Sequence, residues 1–317
     1  MKKSILLIAC VAFSMATTAK QRTFAEMRNI AVRLLDNNDI KRVKASSNTD
    51  KYNLKRLHVN TEFTVVGYDD AGFVVIANDD NIEPVLGYST TAFDANNMPD
   101  GMKWWLNAME QSLAYGSYPE NHAIMKRAKK VDPLLKTQWG QGAPYNNFCP
   151  KDCPTGCVAT ALAQTFYARQ YPTTGEGEIF DADTFDFISY GSTTYDYANM
   201  LPTYEAGKYN QTQGDAVATL MYHIGRAINM NYSTSGSGTT LLASTPGLKE
   251  HFRINKNVAT RYRMFHAEEW MDYIYDELDN QRPVIYCGAD KATGGHCFVV
   301  DGYNEQGLVH LDWGWDG

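Results

Sequence analysis

Two side chains in this sequence have the types and settings needed for covalent chemistry: Cys157 and His296. Cys157 lies in Pro154-Thr155-Gly156-Cys157-Val158-Ala159-Thr160, a turn running into a strong helical pattern. Thr155 is placed to serve as N-cap, its hydroxyl taking an early helical N–H. Gly156 lets backbone and ligand approach closely. Cys157 then falls in the first helical turn, where the macrodipole favours an anion and biases a thiol toward thiolate. A lone helical cysteine is more often a buried structural residue. His296 changes that balance. It stands at the mouth of Gly294-Gly295-His296-Cys297-Phe298-Val299-Val300, which reads as a glycine turn entering a β-strand. A helix-borne thiol and a strand-borne imidazole, brought together by the fold, make the thiolate–imidazolium pair that nucleophilic acyl transfer requires.

Acyl transfer also needs donors aimed at a developing oxyanion. Gln141, between Gly140 and Gly142, is the side-chain candidate, with the backbone N–H of Cys157 as the second donor. Asp312 is a candidate to orient the imidazole, and Trp313 to shield that contact from water. Both lie on the return strand of a predicted hairpin, with His296–Tyr303 going up, 304–307 turning and Leu308–Trp313 returning. The register is open, because a one-residue slip turns Asp312 to the opposite face. The spacing Cys149-x3-Cys153-x3-Cys157 can suggest a metal. It lacks the usual C-x2-C pattern and is interrupted by Pro150 and Pro154, so neither metal nor cofactor is expected.

These residues must be positioned by elements read from periodicity. Apolar residues at helical spacing predict helices over 22–36, 102–114, the run after Cys157, 216–228 and 268–280. Short apolar runs predict a hairpin over 62–78 and strands at 85–88 and 283–287. The Ser/Gly-rich stretch 232–240 reads as a cleft-edge loop, and Trp104 and Trp105 read as core. A composition break at 115–130, ending in Lys126-Arg127-Ala128-Lys129-Lys130, reads as an exposed linker where proteolytic nicking would concentrate. The expected organisation is therefore α+β throughout: a small α+β domain over 20–130 and a second domain over 131–317.

Bulk properties exclude some functions. The chain has 317 residues, 44% hydrophobic content and a net charge of −7, enough for two cores and without the basic surplus of a nucleic-acid binder. No stretch has the length of a membrane span. Residues 1–19 read as an export signal, with Lys2 and Lys3, an apolar run from Ile5 to Met15 and cleavage after Ala19. Leu7-Ile8-Ala9-Cys10 alternatively resembles a lipoprotein box that would anchor the chain through Cys10. Cleavage leaves Cys149, Cys153, Cys157, Cys287 and Cys297, an odd number. Either one thiol is free or pairing is intermolecular.

The Cys–His separation of 139 residues falls in the range of papain-like enzymes. The surrounding residues resemble the streptopain family of secreted bacterial cysteine peptidases, whose fold is a variant of papain's. Thr155-Gly156-Cys157-Val158-Ala159-Thr160 is similar to the family's nucleophile motif and Gly294-Gly295-His296 to its histidine motif. Gln141-Gly142 before Pro144-Tyr145-Asn146 resembles its oxyanion motif, and Asp312-Trp313-Gly314-Trp315-Asp316-Gly317 its tryptophan motif. Leu201-Pro202-Thr203-Tyr204 and Ser235-Gly236-Ser237 also match.

The resemblance implies a papain-like domain, helix-rich on one side and antiparallel sheet on the other, with Ser237, Gly295 and Trp315 lining the substrate cleft. Phe73–Asp79 and Glu83-Pro84-Val85-Leu86-Gly87-Tyr88 resemble the family's inhibitory prodomain. Asn96 matches the asparagine that a prosegment loop puts in the specificity pocket. The family usually has Asn where Asp312 stands and continues into further strands beyond the position of Gly317. The implied function is a secreted cysteine endopeptidase zymogen, with protein or peptide substrates and its own prodomain as intramolecular inhibitor. A Cys-His-Asp amidase or transglutaminase-like enzyme, and an inactive inhibitor or adhesin module, are the alternatives.

Overall fold

The computed structural model describes residues 20–37, 54–115, 127–266, 268–290 and 294–316. Residues 1–19, read as an export signal and including Cys10, lie outside the described residues, as do Gly317 and residues 116–126 of the expected linker. The chain separates into two compact units, one of residues 1–96 with 113–123 and one of residues 97–112 with 124–317. Residues 97–112, read from sequence as part of the first domain, cluster with the second unit.

The first unit is a helix on an antiparallel sheet. Helix α1 (Phe24–Asn37) packs on β2 (Phe63–Gly67) and β3 (Phe73–Ala77), which lie between β1 (Lys55–Val59) and β4 (Val85–Ser89) in the order β1-β2-β3-β4. Met27, Ala31, Leu34 and Leu35 recur at the spacing of one helical face and are all buried. Strands β2 and β3 bury every residue, as central strands covered on both faces do. β1 is hidden from a sequence reading because Lys55-Arg56-Leu57-His58-Val59 carries three basic or titratable side chains and is largely exposed.

Next comes α2 (Asp100–Ala114). The second unit continues with the Cys157-bearing helix α3 (Cys157–Arg169), the hairpin β5 (Glu178–Asp181) and β6 (Asp186–Ser189), and α4 (Gln211–Ala227). It then adds α5 (Leu241–His251), α6 (Trp270–Asp279) and a sheet of β7 (Val284–Asp290), β8 (Gly294–Tyr303) and β9 (Val309–Asp312) in that order, all antiparallel.

Helix α5 escapes a sequence reading because Pro246-Gly247 looks like a break. It forms because Thr240 caps it, accepting from Ala243 N, and because Gly247 lets it approach α4 so closely that a Cβ there would lie 1.7 Å from the Ala227 carbonyl oxygen. The β5–β6 hairpin escapes it too; its phenylalanines Phe180, Phe185 and Phe187 are exposed.

Strand β8 organises the site. Its side chains alternate between the two faces of the sheet. Cys297 and Val299 join clusters that include residues of α3, whereas Phe298 and Val300 pack with Ile274, Tyr275 and Leu278 of α6. The β8–β9 register shifts between Val300 and Gly302, a bulge that pairs Asp312 with Val299.

Candidate active site

Helix α3 begins at Cys157, so the thiol sits on the first helical residue. The N-cap is Gly156, not Thr155. Gly156 has φ +87°, and its side is so crowded that a Cβ would stand 2.6 Å from Met230 Cε and 3.0 Å from the Ser237 carbonyl oxygen. The Thr155 hydroxyl instead pairs with Thr160 Oγ1 at 2.8 Å, one turn into the helix. A buried Thr–Thr bond has displaced the expected cap and pins the turn from inside. Ser237, read from the resemblance as a cleft residue, therefore lies against the nucleophile turn, in a loop tied back by the Asn231–Gly238 bridge.

Burial pushes the Cys157 thiol above its ordinary pKa, opposed by the N–H groups of Cys297, Val158 and Cys157 itself. Desolvation thus outweighs the helix-terminus preference for an anion, and the thiol is neutral at rest. The sulfur is free, while Cys287 and Cys297 form a disulfide across β7 and β8; Cys149 and Cys153 are also free. The odd cysteine count resolves as one intramolecular pair and three thiols.

The Cys297 N–H that faces the sulfur belongs to the residue after His296, so α3 meets β8 at the histidine. His296 is buried in an aromatic cage. Its ring centroid lies 6.2 Å from Trp313 and Phe298, 5.8 Å from Trp315 and 5.9 Å from Trp104 of α2. Nε2 faces two groups, the Trp313 carbonyl oxygen at 2.9 Å and the Trp315 indole N–H at 3.1 Å. One nitrogen cannot serve both at once. With its proton it donates to Trp313; without it, it accepts from Trp315. The site therefore has a partner for Nε2 in either state. Burial lowers the His296 pKa, partly offset by the Trp313 carbonyl, so the ring is neutral at rest. Among the described residues no hydrogen bond joins the Cys157 thiol to the ring, and Nδ1 takes no part in the Nε2 contacts.

Asp312 is not on the imidazole through its carboxylate. Its Oδ1 accepts from Gln164 Nε2 at 2.9 Å and from Gly314 N at 3.0 Å. Its pairing with Val299 puts it on the α3 side of the sheet. The contact with the histidine is made one residue later, by the Trp313 backbone. Burial raises the Asp312 pKa, with Asp301 adding to the rise and the Gln164 and Gly314 donors and His310 opposing it.

Gln141 is buried and its Nε2 has no hydrogen-bond partner. The loop is fixed to the nucleophile turn, since Thr155 N donates to the Gln141 carbonyl at 3.1 Å. Gly295 is exposed and pairs with Ala289 at the open end of β8. Asn96 is exposed in a turn, its N–H donating to Asp94 Oδ1 at 2.9 Å.

Two contributors lie outside the site residues read from sequence. Trp104 donates its indole N–H to the Gly294 carbonyl at 3.2 Å, and a Cβ on Gly101 would stand 2.9 Å from Trp315, so α2 lies over the histidine turn. Gln164 is fully buried two turns along α3 from Cys157. Its signal is a large polar amide amid the Ala-rich turns of that helix.

A free thiol at a helix start, a caged histidine on an antiparallel strand and an unpartnered amide define a papain-like cysteine peptidase architecture. Comparison with known proteins narrows this. The Peptidase C10 family matches residues 139–317, and a Spi protease inhibitor family matches residues 19–113. The chain belongs to the peptidase C10 family and carries a Spi-type inhibitor segment ahead of that region.

The relatives agree. The chain is 32% identical to the thiol protease/hemagglutinin PrtT of Porphyromonas gingivalis, across 78% of this chain but only 32% of that protein's length. It is 30% identical to streptopain of Streptococcus pyogenes, across 84% of this chain and 75% of streptopain. Prointerpain A of Prevotella intermedia, solved as a cysteine-to-alanine mutant, superposes with a TM-score of 0.73 at 37% identity, covering 83% of this chain and 88% of that one. Active interpain A matches at 39% identity and TM-score 0.51, over 61% of this chain.

Proposed function

We propose that this chain is the self-inhibited precursor of an exported cysteine endopeptidase acting on protein and peptide substrates. The observation that carries this reading is the convergence of three segments: the free Cys157 thiol, the His296 strand whose next N–H faces that sulfur, and the buried Gln141 amide with no partner. A buried N–H without an acceptor costs about 1–3 kcal/mol, a cost that makes sense where an acceptor arrives with the substrate.

The chemistry follows from these positions. With its Nε2 proton donated to the Trp313 carbonyl, His296 takes the Cys157 proton at Nδ1. The thiolate attacks the scissile carbonyl, and Gln141 Nε2 and the Cys157 N–H receive the oxyanion. The imidazolium returns its proton to the leaving amine, and water hydrolyses the thioester. At rest both members of the pair are neutral, as burial dictates, so substrate or release of the inhibitory segment has to favour the ionised pair.

Residues 20–130 form the inhibitory segment, 131–317 the peptidase domain, and cleavage in the 115–130 linker separates them. Helix α2 over the histidine turn supports this inhibition, and Asn96 is the second residue assigned to it. Ser237, Gly295 and Trp315 line the cleft. Export depends on residues 1–19, with lipid attachment at Cys10 as the alternative. The amidase reading loses its third member, because the Asp312 carboxylate is directed to Gln164 and Gly314.

The test is Cys157→Ala. It is expected to abolish hydrolysis of a protein substrate and self-processing in the pure protein, and an epoxide thiol inhibitor should label the processed wild type at Cys157. Hydrolysis that survives the substitution overturns the reading.

A further inference from the structure

The three parts of the site come from distant stretches of chain, and one side chain on the Cys157 helix bonds to the segments that carry the other two. Gln164 lies seven residues after Cys157, so Cys157, Thr160 and Gln164 share one face of α3. Gln164 is fully buried, and its amide is used at both ends. Oε1 accepts from the backbone N–H of Trp139, two residues before Gln141, at 3.4 Å. Nε2 donates to Asp312 Oδ1 at 2.9 Å, and the same oxygen accepts from Gly314 N. The amide has only one consistent orientation, since an N–H must meet its oxygen and a carboxylate its nitrogen. Between Asp312 and Gly314 sits Trp313, whose carbonyl faces His296 Nε2. Gly314 has φ +70°, and a Cβ there would press on Thr160 Cγ2 at 3.2 Å, so this turn is seated on the Cys157 helix.

We propose that Gln164 is a positioning residue for the reaction, acting with Asp312: its amide sets the Trp313 carbonyl, and through it the imidazole, relative to the nucleophile helix and the Gln141 loop. This rests on the peptidase reading above and adds a residue to it. The carboxylate of Asp312 orients the histidine only indirectly, by holding the turn that carries the Trp313 carbonyl. Lost alignment should appear in kcat and in the pH dependence of the thiol rather than in substrate binding, because misplacement of catalytic groups by about 1 Å can cost on the order of 10²-fold.

The groups around the Gln164–Asp312 contact that bear on its charge are Asp301 and His310 from the sheet, with His296 beyond the Trp313 carbonyl. Gln164→Glu sets a second buried carboxylate against Asp312. The two can then hold the turn only while they share a proton. Gln164→Met keeps the length of the side chain and removes its hydrogen bonds to Trp139 and Asp312 without adding a charge.

The experiment uses the full chain. Iodoacetamide alkylation of Cys157 is followed by peptide mass spectrometry across pH, kcat and KM are measured on a protein substrate after self-processing, and Tm is recorded. Gln164→Glu is expected to lower kcat about 10²-fold at neutral pH with KM little changed. Its alkylation profile should gain a pH-dependent step absent from wild type, whereas Gln164→Met should lower kcat across the pH range without adding that step. Variants that lose Tm but keep wild-type kcat and alkylation profile would make Gln164 merely structural and overturn the proposal. So would a Gln164→Met enzyme with the kcat of wild type. Wild type that neither hydrolyses protein nor labels at Cys157 would instead defeat the peptidase reading itself.

Discussion

The two arms of the site are built by opposite means. The nucleophile arm is local. Gly156 turns the chain, α3 starts at once, and the Thr155–Thr160 bond closes within five residues. The imidazole arm is assembled from afar. His296 takes its Nε2 contacts from residues 17 and 19 positions away and an aromatic neighbour from α2, 192 positions earlier. Short-range bonds set the start of the Cys157 helix, whereas the Nε2 contacts of the imidazole all come from distant positions, which makes the imidazole the arm more open to control. An enzyme made in a silent form gains from that division: a stable nucleophile and a histidine whose setting depends on which segments lie over it.

Substitutions can break this comparison arm by arm. The largest effect is expected from His296→Asn, which should lower hydrolysis by roughly 10³-fold or more. Because short-range bonds set the start of the Cys157 helix, Cys157 in that variant should still be alkylated by a small reagent at high pH. Loss of labelling would show that the arms are not separable. Gln141→Ala comes next, with kcat falling about 10²–10³-fold. Since the wild-type amide has no partner to lose, Tm should hold, and a large drop in Tm would argue against an oxyanion role.

Trp104→Ala removes the α2 contact from the imidazole arm alone. In the uncut chain it should speed Cys157 labelling several-fold while leaving the processed enzyme as active as wild type. Equal labelling of the two uncut chains would move inhibition elsewhere.

The smallest effect concerns Asp312→Asn, read as Tm against pH. Burial raises the folded pKa of Asp312 above its unfolded value near 3.8. The protonated form is therefore favoured by folding, and its stabilising effect is present below the unfolded pKa and lost as pH rises through the folded one. Asparagine keeps the acceptor for Gln164 and Gly314 without the charge. The variant should match wild type at acid pH and exceed it by a few degrees near neutrality, with the difference opening between those two pKa values. A difference independent of pH would mean that the carboxylate is not the cause.

The legible part of the molecule follows the same division. Cys157, the α3 helix, the α1 and α4 patterns and the β8–β9 hairpin rest on periodicity and turn chemistry, which act over a few residues and so are written in consecutive positions. Helix α5 is hidden because close packing on α4 outweighs the Pro-Gly signal, and β1 because a mostly exposed basic strand carries no apolar alternation. The Thr155 cap does not form because its hydroxyl finds a buried partner one turn on.

Residue types and spacing by themselves marked a thiol on a helix start, an imidazole at a strand mouth and an amide in a glycine loop as candidates for one site, since each type is demanded by the chemistry and set in a local motif. Only the tertiary structure decided which group touches the imidazole. A bulge at Asp301 sets the face of Asp312, so Gln164 receives the carboxylate and the Trp313 backbone receives the ring. Strand register is a sum over pairings across the sheet, and no single stretch of sequence carries it.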